Sequence, residues 1–532
     1  MLRAIAVPLE GNKVLTRSSM LGFIGVTLGF GALAPRAGAQ ARLPIRFEAD
    51  VVRALHAFQV PGTAIAVVKD GKVLLVKGYG VERVGSRTAV DPHTIFQIAS
   101  NTKAFTTACI AMLVDSGKVA WDDPVTRYLP DFQLSDPWVT REFTIRDLVT
   151  HRSGLGLGAG DLLWLHSNYS RGEIIHRMRA ARPVSSFRSR YAYDNVLYAA
   201  AGEIVPAVTG VSWEAFVRQR ILAPLGMTDT RTGLADLKPG DRFAAPHSGS
   251  RSGIQIVPLD TVDNIGPAAS LMASVADLAK WLIVQLDSGR VGKTRLWSAA
   301  QTREMWSPQT IIPINDPLPP LAATRPNFYA YALGWRVRDY RGHKVVTHTG
   351  GLAGMTSRTT LVPDQRLGIV MLTNGESSMY EALTYELLDH FFGAPRTDWV
   401  AAFQDAARQA QASADSEMAA QARARDTTSL PALQLARYAG RYTDALYGDA
   451  SITLENGGLV LRFSHSPAFV GDLEYWQYNT FRTGWRTPNL ADAFVTFGLK
   501  PDGSVESFTM SAVSPLADFS FDYQDFRFVP VR

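Results

Sequence analysis

Ser100 and Lys103 stand three residues apart in QIASNTKAFTTACIAML, residues 97–113, at the opening of an otherwise apolar helical run. On a helix that spacing puts both side chains on one face, one turn apart. A serine hydroxyl is a poor nucleophile until something takes its proton. A lysine desolvated by Ala104, Phe105, Ala108 and Ile110 has a depressed pKa and can serve as that acceptor. Backbone N–H groups at the helix start favour developing negative charge. The plainer alternative is a serine N-cap with a lysine reaching to water. Two further segments bear on the choice. In RYAYDNVLYAAAGEIV, residues 190–205, Tyr193-Asp194-Asn195 precede an apolar helical run. A phenol facing a lysine can ionise below its ordinary pKa and act as a base, and the Asn195 amide can orient a substrate carbonyl. The alternative there is a capped helix start. In VVTHTGGLAGMTS, residues 345–357, His348-Thr349-Gly350-Gly351 end an apolar strand. Glycines at a strand end allow a ligand close to the backbone, so the amides of Ser100 and Gly351 are expected to form an oxyanion hole.

The elements that must bring these segments together follow from the pattern. The chain has 532 residues, with 46% hydrophobic and 19% charged, which is globular composition and long enough for two domains. Two β-rich runs flank Lys69-Asp70-Gly71-Lys72, a hairpin signal. Helical and loop patterns fill residues 145–310, and strand patterns return over 331–374. Strands at both ends of a segment with helices between predict one antiparallel sheet built from both termini, an α+β domain over residues 40–395. Residues 396–432 are rich in Ala, Gln and Arg and read as a solvated helical linker ended by Pro431. Residues 433–532 alternate, are aromatic-rich and carry N-G-G and D-G turns, so a small all-β barrel domain is expected.

Composition excludes several classes. The formal net charge is +5; Arg3, Lys13, Arg17 and Arg36 against Glu10 put +3 of it in the first 39 residues. The remainder is near +2, so no nucleic-acid partner is expected. Lys13 and Arg17, the apolar run 20–33 and Ala37-Gly38-Ala39 read as a cleavable signal peptide over residues 1–39, hence a periplasmic or secreted protein with no stable membrane span. Cys109 is the one cysteine, so there is no intrachain disulfide, and the ten histidines lack metal-ligand spacing. No metal or cofactor is expected, and the absence of G-x-S-x-G argues against an α/β-hydrolase.

The order S-x-x-K, Y-x-N, H-T-G is more specific than any of its parts. With TIFQIASNTKAFT (94–106), LVTHRSGL (148–155), PLGMTDT (224–230) and YALGW (331–335), the chain resembles the serine β-lactamase and penicillin-binding-protein superfamily, in its class C β-lactamase and D-aminopeptidase/esterase branch. The resemblance covers about residues 45–395. It implies Ser100 as acylated nucleophile, Lys103 and Tyr193 sharing the base role, Asn195 binding the acyl-side carbonyl, and His348 and Thr349 on the opposite wall. YAGRYTD (438–444) and YGDASITLENGGLVL (447–461) resemble a lipocalin-like domain, which in relatives is linked to homo-oligomerisation and to covering the active-site mouth. The activity implied is amide hydrolysis of small peptides, with D-residue-containing and linear microcystin-type peptides among the substrates. Carboxylesterase and weak β-lactamase activity are the alternatives at the same site, and a non-hydrolysing ligand-binding or assembly protein is the alternative of another class. Dedicated β-lactamases usually carry lysine where this chain has His348. Histidine is mostly neutral near pH 7, so weaker attraction for a substrate carboxylate is expected, favouring a peptidase or esterase.

Overall fold

A computed structural model describes residues 42–250 and 253–531. The signal peptide expected over residues 1–39 lies outside them.

Eight strands form the main antiparallel sheet: β1 Gly62–Lys69, β2 Lys72–Gly80, β3 Thr310–Ile311, β4 Tyr329–Tyr331, β5 Arg336–Tyr340, β6 His343–Leu352, β7 Met355–Val362 and β8 Leu367–Thr373. Their spatial order is β2-β1-β8-β7-β6-β5-β4-β3, so the N-terminal hairpin pairs with the last strand of the segment. The hairpin turns at Asp70 and Gly71, both with positive φ, the conformation that two-residue hairpin loops require. Both faces of the sheet are covered, which explains why β1 and β8 read as continuous apolar runs. One face carries Ile65, Val67, Ile369 and Met371 against α1 (Phe47–Ala57) and, later in the chain, Leu383 and Leu387 of α5 (Met379–Phe391). The other face carries Ala64, Ala66, Val68, Val370 and Leu372. Small alanines there leave room for α4 (Val275–Leu286), and α2 (Thr102–Asp115) and α3 (Val196–Thr209) extend the same core. Phe105 of α2 stacks on Trp281 of α4 with centroids 3.8 Å apart.

A helix α6, Trp399–Arg423, follows. It ends eight residues before the expected stop at Pro431, and its first turns are not solvated: Trp399, Val400 and Phe403 are buried in the α1–α5 core. The aromatic residues of this otherwise polar segment account for the docking.

The C-terminal segment is a nearly closed eight-stranded antiparallel barrel. Its strands are β9 Gly440–Asp444, β10 Gly448–Glu455, β11 Gly458–Phe463, β12 Val470–Gln477, β13 Thr480–Trp485, β14 Ala493–Leu499, β15 Val505–Ala512 and β16 Val529–Pro530. They follow one another in space, β16 sits beside β9, and a bridge between Phe508 and Phe528 joins the two ends of the sheet. Tyr442, Phe497, Phe508 and Phe528 fill its interior, with Phe508 and Phe528 stacked at 4.7 Å. The fold is therefore the α+β sheet-and-helix domain with a small all-β barrel that the patterning predicted. Among the described residues no single helix is long and apolar enough to cross a membrane.

One contact in this scaffold bears on the site. Gly202 of α3 faces Pro267, and a Cβ at Gly202 would lie 2.1 Å from Pro267 Cγ. The Gly266–Ala269 turn must therefore shift or α3 must move in Gly202→Ala, an overpacking expected to cost about 1–3 kcal/mol. Thermal unfolding of G202A should start at a lower temperature than wild type; an unchanged or raised melting temperature would contradict this packing.

Candidate active site

Ser100 lies in a single tight turn, Ala99–Asn101, between the short strand Phe96–Gln97 and α2. Ala99 has φ +47°, an uncommon conformation for a residue with a side chain, and it is held by its surroundings. Ser357 Oγ donates to the Ile98 carbonyl at 2.7 Å, and Asn101 Nδ2 donates to Ser357 Oγ at 2.7 Å. Strand β6 approaches this turn through Gly350, where any Cβ would sit 2.2 Å from the Ile98 oxygen. That close approach is what the glycines of H-T-G-G permit.

Lys103 is on the first turn of α2 and is fully buried. Its Nζ lies 2.9 Å from Ser100 Oγ, 2.7 Å from Asn195 Oδ1 and 3.1 Å from the Ala268 carbonyl oxygen. The rings of Tyr193 and Tyr198 flank it at 4.8 and 5.2 Å. Among the described residues no carboxylate touches the amine, and burial drives its pKa well below the ordinary lysine value, with the Asp161 charge opposing. The neutral form that burial favours fits these contacts. Two of the three partners are carbonyl oxygens, which only accept. A neutral amine gives them its two N–H bonds, and its lone pair is left facing the Ser100 hydroxyl.

Tyr193 stands beside Ser100 on the same cavity, its ring 4.8 Å from the Lys103 amine. Burial pushes this phenol up, against the opposing effects of Arg336 and Ser100, which favours its protonated form. The reason is that its surroundings are rings: His151 packs on it at 4.1 Å and Phe519 meets it edge-on at 5.6 Å. Asn195 occupies the cap position of α3 without capping it; the Asp194 carboxylate accepts from the Leu197 amide instead. The Asn195 side chain is thereby left for Lys103.

Ser100, Tyr193, Asn195, Thr349 and Gly351 line one cavity of about 220 Å³. His348 does not. Successive strand residues point to opposite faces, so Thr349 faces the cavity and His348 turns inward. Its Nδ1–H donates to the Thr349 carbonyl at 2.6 Å, leaving Nε2 to accept from Tyr331 Oη at 2.9 Å. Burial, with Arg336 and Lys103 nearby, holds its pKa well below the ordinary histidine value.

The cation missing from position 348 comes from elsewhere. Arg336, on β5, donates from Nη1 to Thr349 Oγ1 at 2.8 Å and borders the cavity. An arginine is charged at any working pH, so the cavity has a fixed cation that His348 does not supply. In the sequence Arg336 is one residue of a strand pattern; only its pairing opposite Thr347 brings it beside Thr349. Asp518, Phe519 and Ser520, from the barrel segment, form another wall, and nothing local in the sequence marks them. Past Trp164, Leu352 and Ser520 a further space of about 610 Å³ continues between the sheet domain and the barrel.

This fold and this serine–lysine–tyrosine contact define a serine hydrolase of the β-lactamase and penicillin-binding-protein kind. The family model described as Beta-lactamase matches residues 47–391, and the chain belongs to that family. A second model, a domain of unknown function (DUF3471), matches residues 424–530. The unguisins hydrolase ungD' of Aspergillus campestris is 30% identical over 76% of this chain and 77% of its own length. The octameric penicillin-binding protein homologue from Pyrococcus abyssi has a similar fold: TM-score 0.59, 22% identity, 88% of this chain and 98% of that one. The D-amino acid amidase from Ochrobactrum anthropi SV3 matches with TM-score 0.53 and 23% identity over 65% of this chain and 98% of its own.

Beside the site, Asp194 is fully buried and one of its carboxylate oxygens has no partner. Burial, with the Asp161 charge adding, pushes its carboxyl up to about 8. An unfolded aspartate releases its proton near pH ~4. Between those values the folded chain holds the extra proton, so this group lowers stability as pH rises. Asp194→Asn removes the titration. Its melting temperature relative to wild type should increase from about pH 5 to pH 8 and then level off. A difference that shrinks as pH rises would refute the buried neutral carboxyl.

Proposed function

We propose that this chain is an exported hydrolase that cleaves amide bonds of short peptides through an acyl-Ser100 intermediate. The observation that carries the reading is the buried Lys103 amine, 2.9 Å from Ser100 Oγ with carbonyl oxygens at its other two contacts, so that in its neutral form the lone pair is left to Ser100. Lys103 takes the Ser100 proton as the hydroxyl attacks the scissile carbonyl. Tyr193, beside Ser100 on the cavity and favoured in its protonated form, passes a proton to the departing amine and is refilled from Lys103. The backbone amides of Ser100 and Gly351 would hold the oxyanion, Asn195 the acyl-side carbonyl, and Arg336 with Thr349 a carboxylate on the substrate. Water then enters and the same groups reverse the transfer.

Two names among the relatives, an unguisins hydrolase and a D-amino acid amidase, support hydrolysis and an amide bond, and a D-residue at the acyl side is the reading adopted. The cavity and its 610 Å³ extension together have the size of sites that take a ligand of several residues, which favours a peptide, linear microcystin-type peptides included. Carboxylesterase and weak β-lactamase activity share the same intermediate. The basic start, apolar run and Ala37-Gly38-Ala39 support export to the periplasm or medium. The octameric homologue supports self-assembly.

Intact-mass analysis after a fluorophosphonate should show one adduct on wild type and none on Ser100→Ala. Lys103→Ala should slow labelling by about a hundredfold. Labelling that persists in S100A would sink the assignment. Rates on a D-alanyl anilide, a short acyl ester and a chromogenic cephalosporin separate the three activities; the anilide should lead. Arg336→Ala should lower kcat/KM for a substrate with a free carboxylate by roughly tenfold or more, and an unaltered value would remove Arg336 from the substrate contact.

A further inference from the structure

The Ser100–Lys103 pair is tied to the barrel through a run of buried contacts. Asn195, which accepts from Lys103 through Oδ1, donates from Nδ2 to Asp161 Oδ2 at 2.9 Å. The other oxygen of Asp161 accepts from Trp164 Nε1 at 2.8 Å, and nearby Ser520 favours the charged form of this carboxylate. Asp161 is fully buried and does not line the cavity; Trp164 and Ser520 stand between them. The turn that carries it is held from the barrel segment. Asp522 accepts from the amides of Gly160, Asp161 and Leu162 at 2.7, 3.1 and 3.2 Å, and Tyr447 donates its hydroxyl to the same carboxylate. Three successive amides on one carboxylate are a strong, directional anchor. Gly158 lets the segment in, since a Cβ there would meet the Phe519 carbonyl at 2.5 Å.

We propose that Asp161 is a positioning residue for the Ser100–Lys103 pair, and that Asp522 and Ser520 hold it, so that the C-terminal barrel supplies part of its own chain's active site. The inference rests on the hydrolase reading above. An amide side chain has a donor end and an acceptor end. An ionised carboxylate only accepts, so it forces Asn195 to present its NH₂ to Asp161 and its oxygen to Lys103. Turned the other way, Asn195 would offer an N–H to the lysine lone pair. That lone pair would then be spent on Asn195 and lost to the Ser100 proton. Asp161 therefore decides where the base points without touching the substrate.

The charged and titratable groups around Asp161 are Lys103 from α2, Tyr193 and Asp194 before α3, and Asp522 from the barrel segment. Burial pushes the Asp161 carboxyl up to about 7, opposed by Trp164, Asn195, Ser520 and Lys103. The control over Asn195 is present above that value and fades below it.

The test uses the full chain. Fluorophosphonate labelling rates and ester kcat and KM are measured from about pH 5 to 9, with thermal melting alongside, for wild type, Asp161→Asn and Ser520→Ala. D161N can present either end of its own amide, so it no longer dictates the Asn195 orientation. It should label and turn over at least tenfold more slowly, with KM within about threefold and the acid limb near pH 7 displaced. S520A removes a group that favours the charged carboxylate, so its acid limb should move to higher pH with a smaller loss of rate. Wild-type rates and profile in D161N would overturn the inference, as would losses that track only the unfolded fraction. Should D161N fail to fold, an unmoved limb in S520A overturns it alone. A wild-type chain that takes no label would overturn the hydrolase reading and this inference with it. A labelled wild type with unaffected variants overturns only this inference.

Discussion

A lysine amine buried without a counter-ion in contact is the constraint on which the site depends. In water that ammonium would be the stable form, and taking it into a low-dielectric interior is expensive. The structure answers by making the neutral amine acceptable: two carbonyl oxygens take its N–H bonds, aromatic rings flank it, and a serine hydroxyl meets its lone pair. The strain of Ala99 and the closeness of Gly350 serve the same arrangement, since both place Ser100 one turn from that amine. A helix that satisfied Lys103 by letting it reach solvent would have a stable lysine and no base.

The surroundings repeat this pattern with other groups. Asp161 and Asp194 are buried near the amine with raised pKa values, His348 and His151 are pushed down and Tyr193 is pushed up, each chiefly through loss of water. Arg336 remains charged, and its guanidinium lies 5.6 Å from the Tyr193 ring centroid. The result is a site with one fixed cation at the cavity and a set of groups whose protons can move. Fixed charge suits binding an anionic group, and displaceable protons suit attack and departure.

The barrel is more than an appended module. It closes on itself around its own aromatic core, yet the segment 518–522 between β15 and β16 leaves that core and enters the neighbouring domain. The near-closure leaves little free sheet edge, and the contact is made by side chains and turn amides rather than by strand addition. Asp522 is bonded from both sides, by Tyr447 of the barrel and by the amides of residues 160–162. The two domains thus share a buried carboxylate, and the substrate cavity lies along their boundary.

The sequence by itself determined what is local. Apolar period and turn chemistry specified the Asp70-Gly71 hairpin, the split sheet, the apolar α2 and the aromatic all-β end, because each follows from neighbours within a few residues. The Ser100–Lys103 spacing is likewise a property of helical geometry, and the order of the three short motifs indicated the rest of the constellation. It did not reveal that α6 docks through Trp399 and Phe403, that Thr349 rather than His348 faces the cavity, or that burial pushes the Tyr193 phenol up. Arg336, Asp161 and the 518–522 segment were illegible for one reason. Their roles depend on strand register and on contacts across as many as 362 positions, and on how much water each group loses there. Burial and partner are properties of the packed chain; only the tertiary structure decides them.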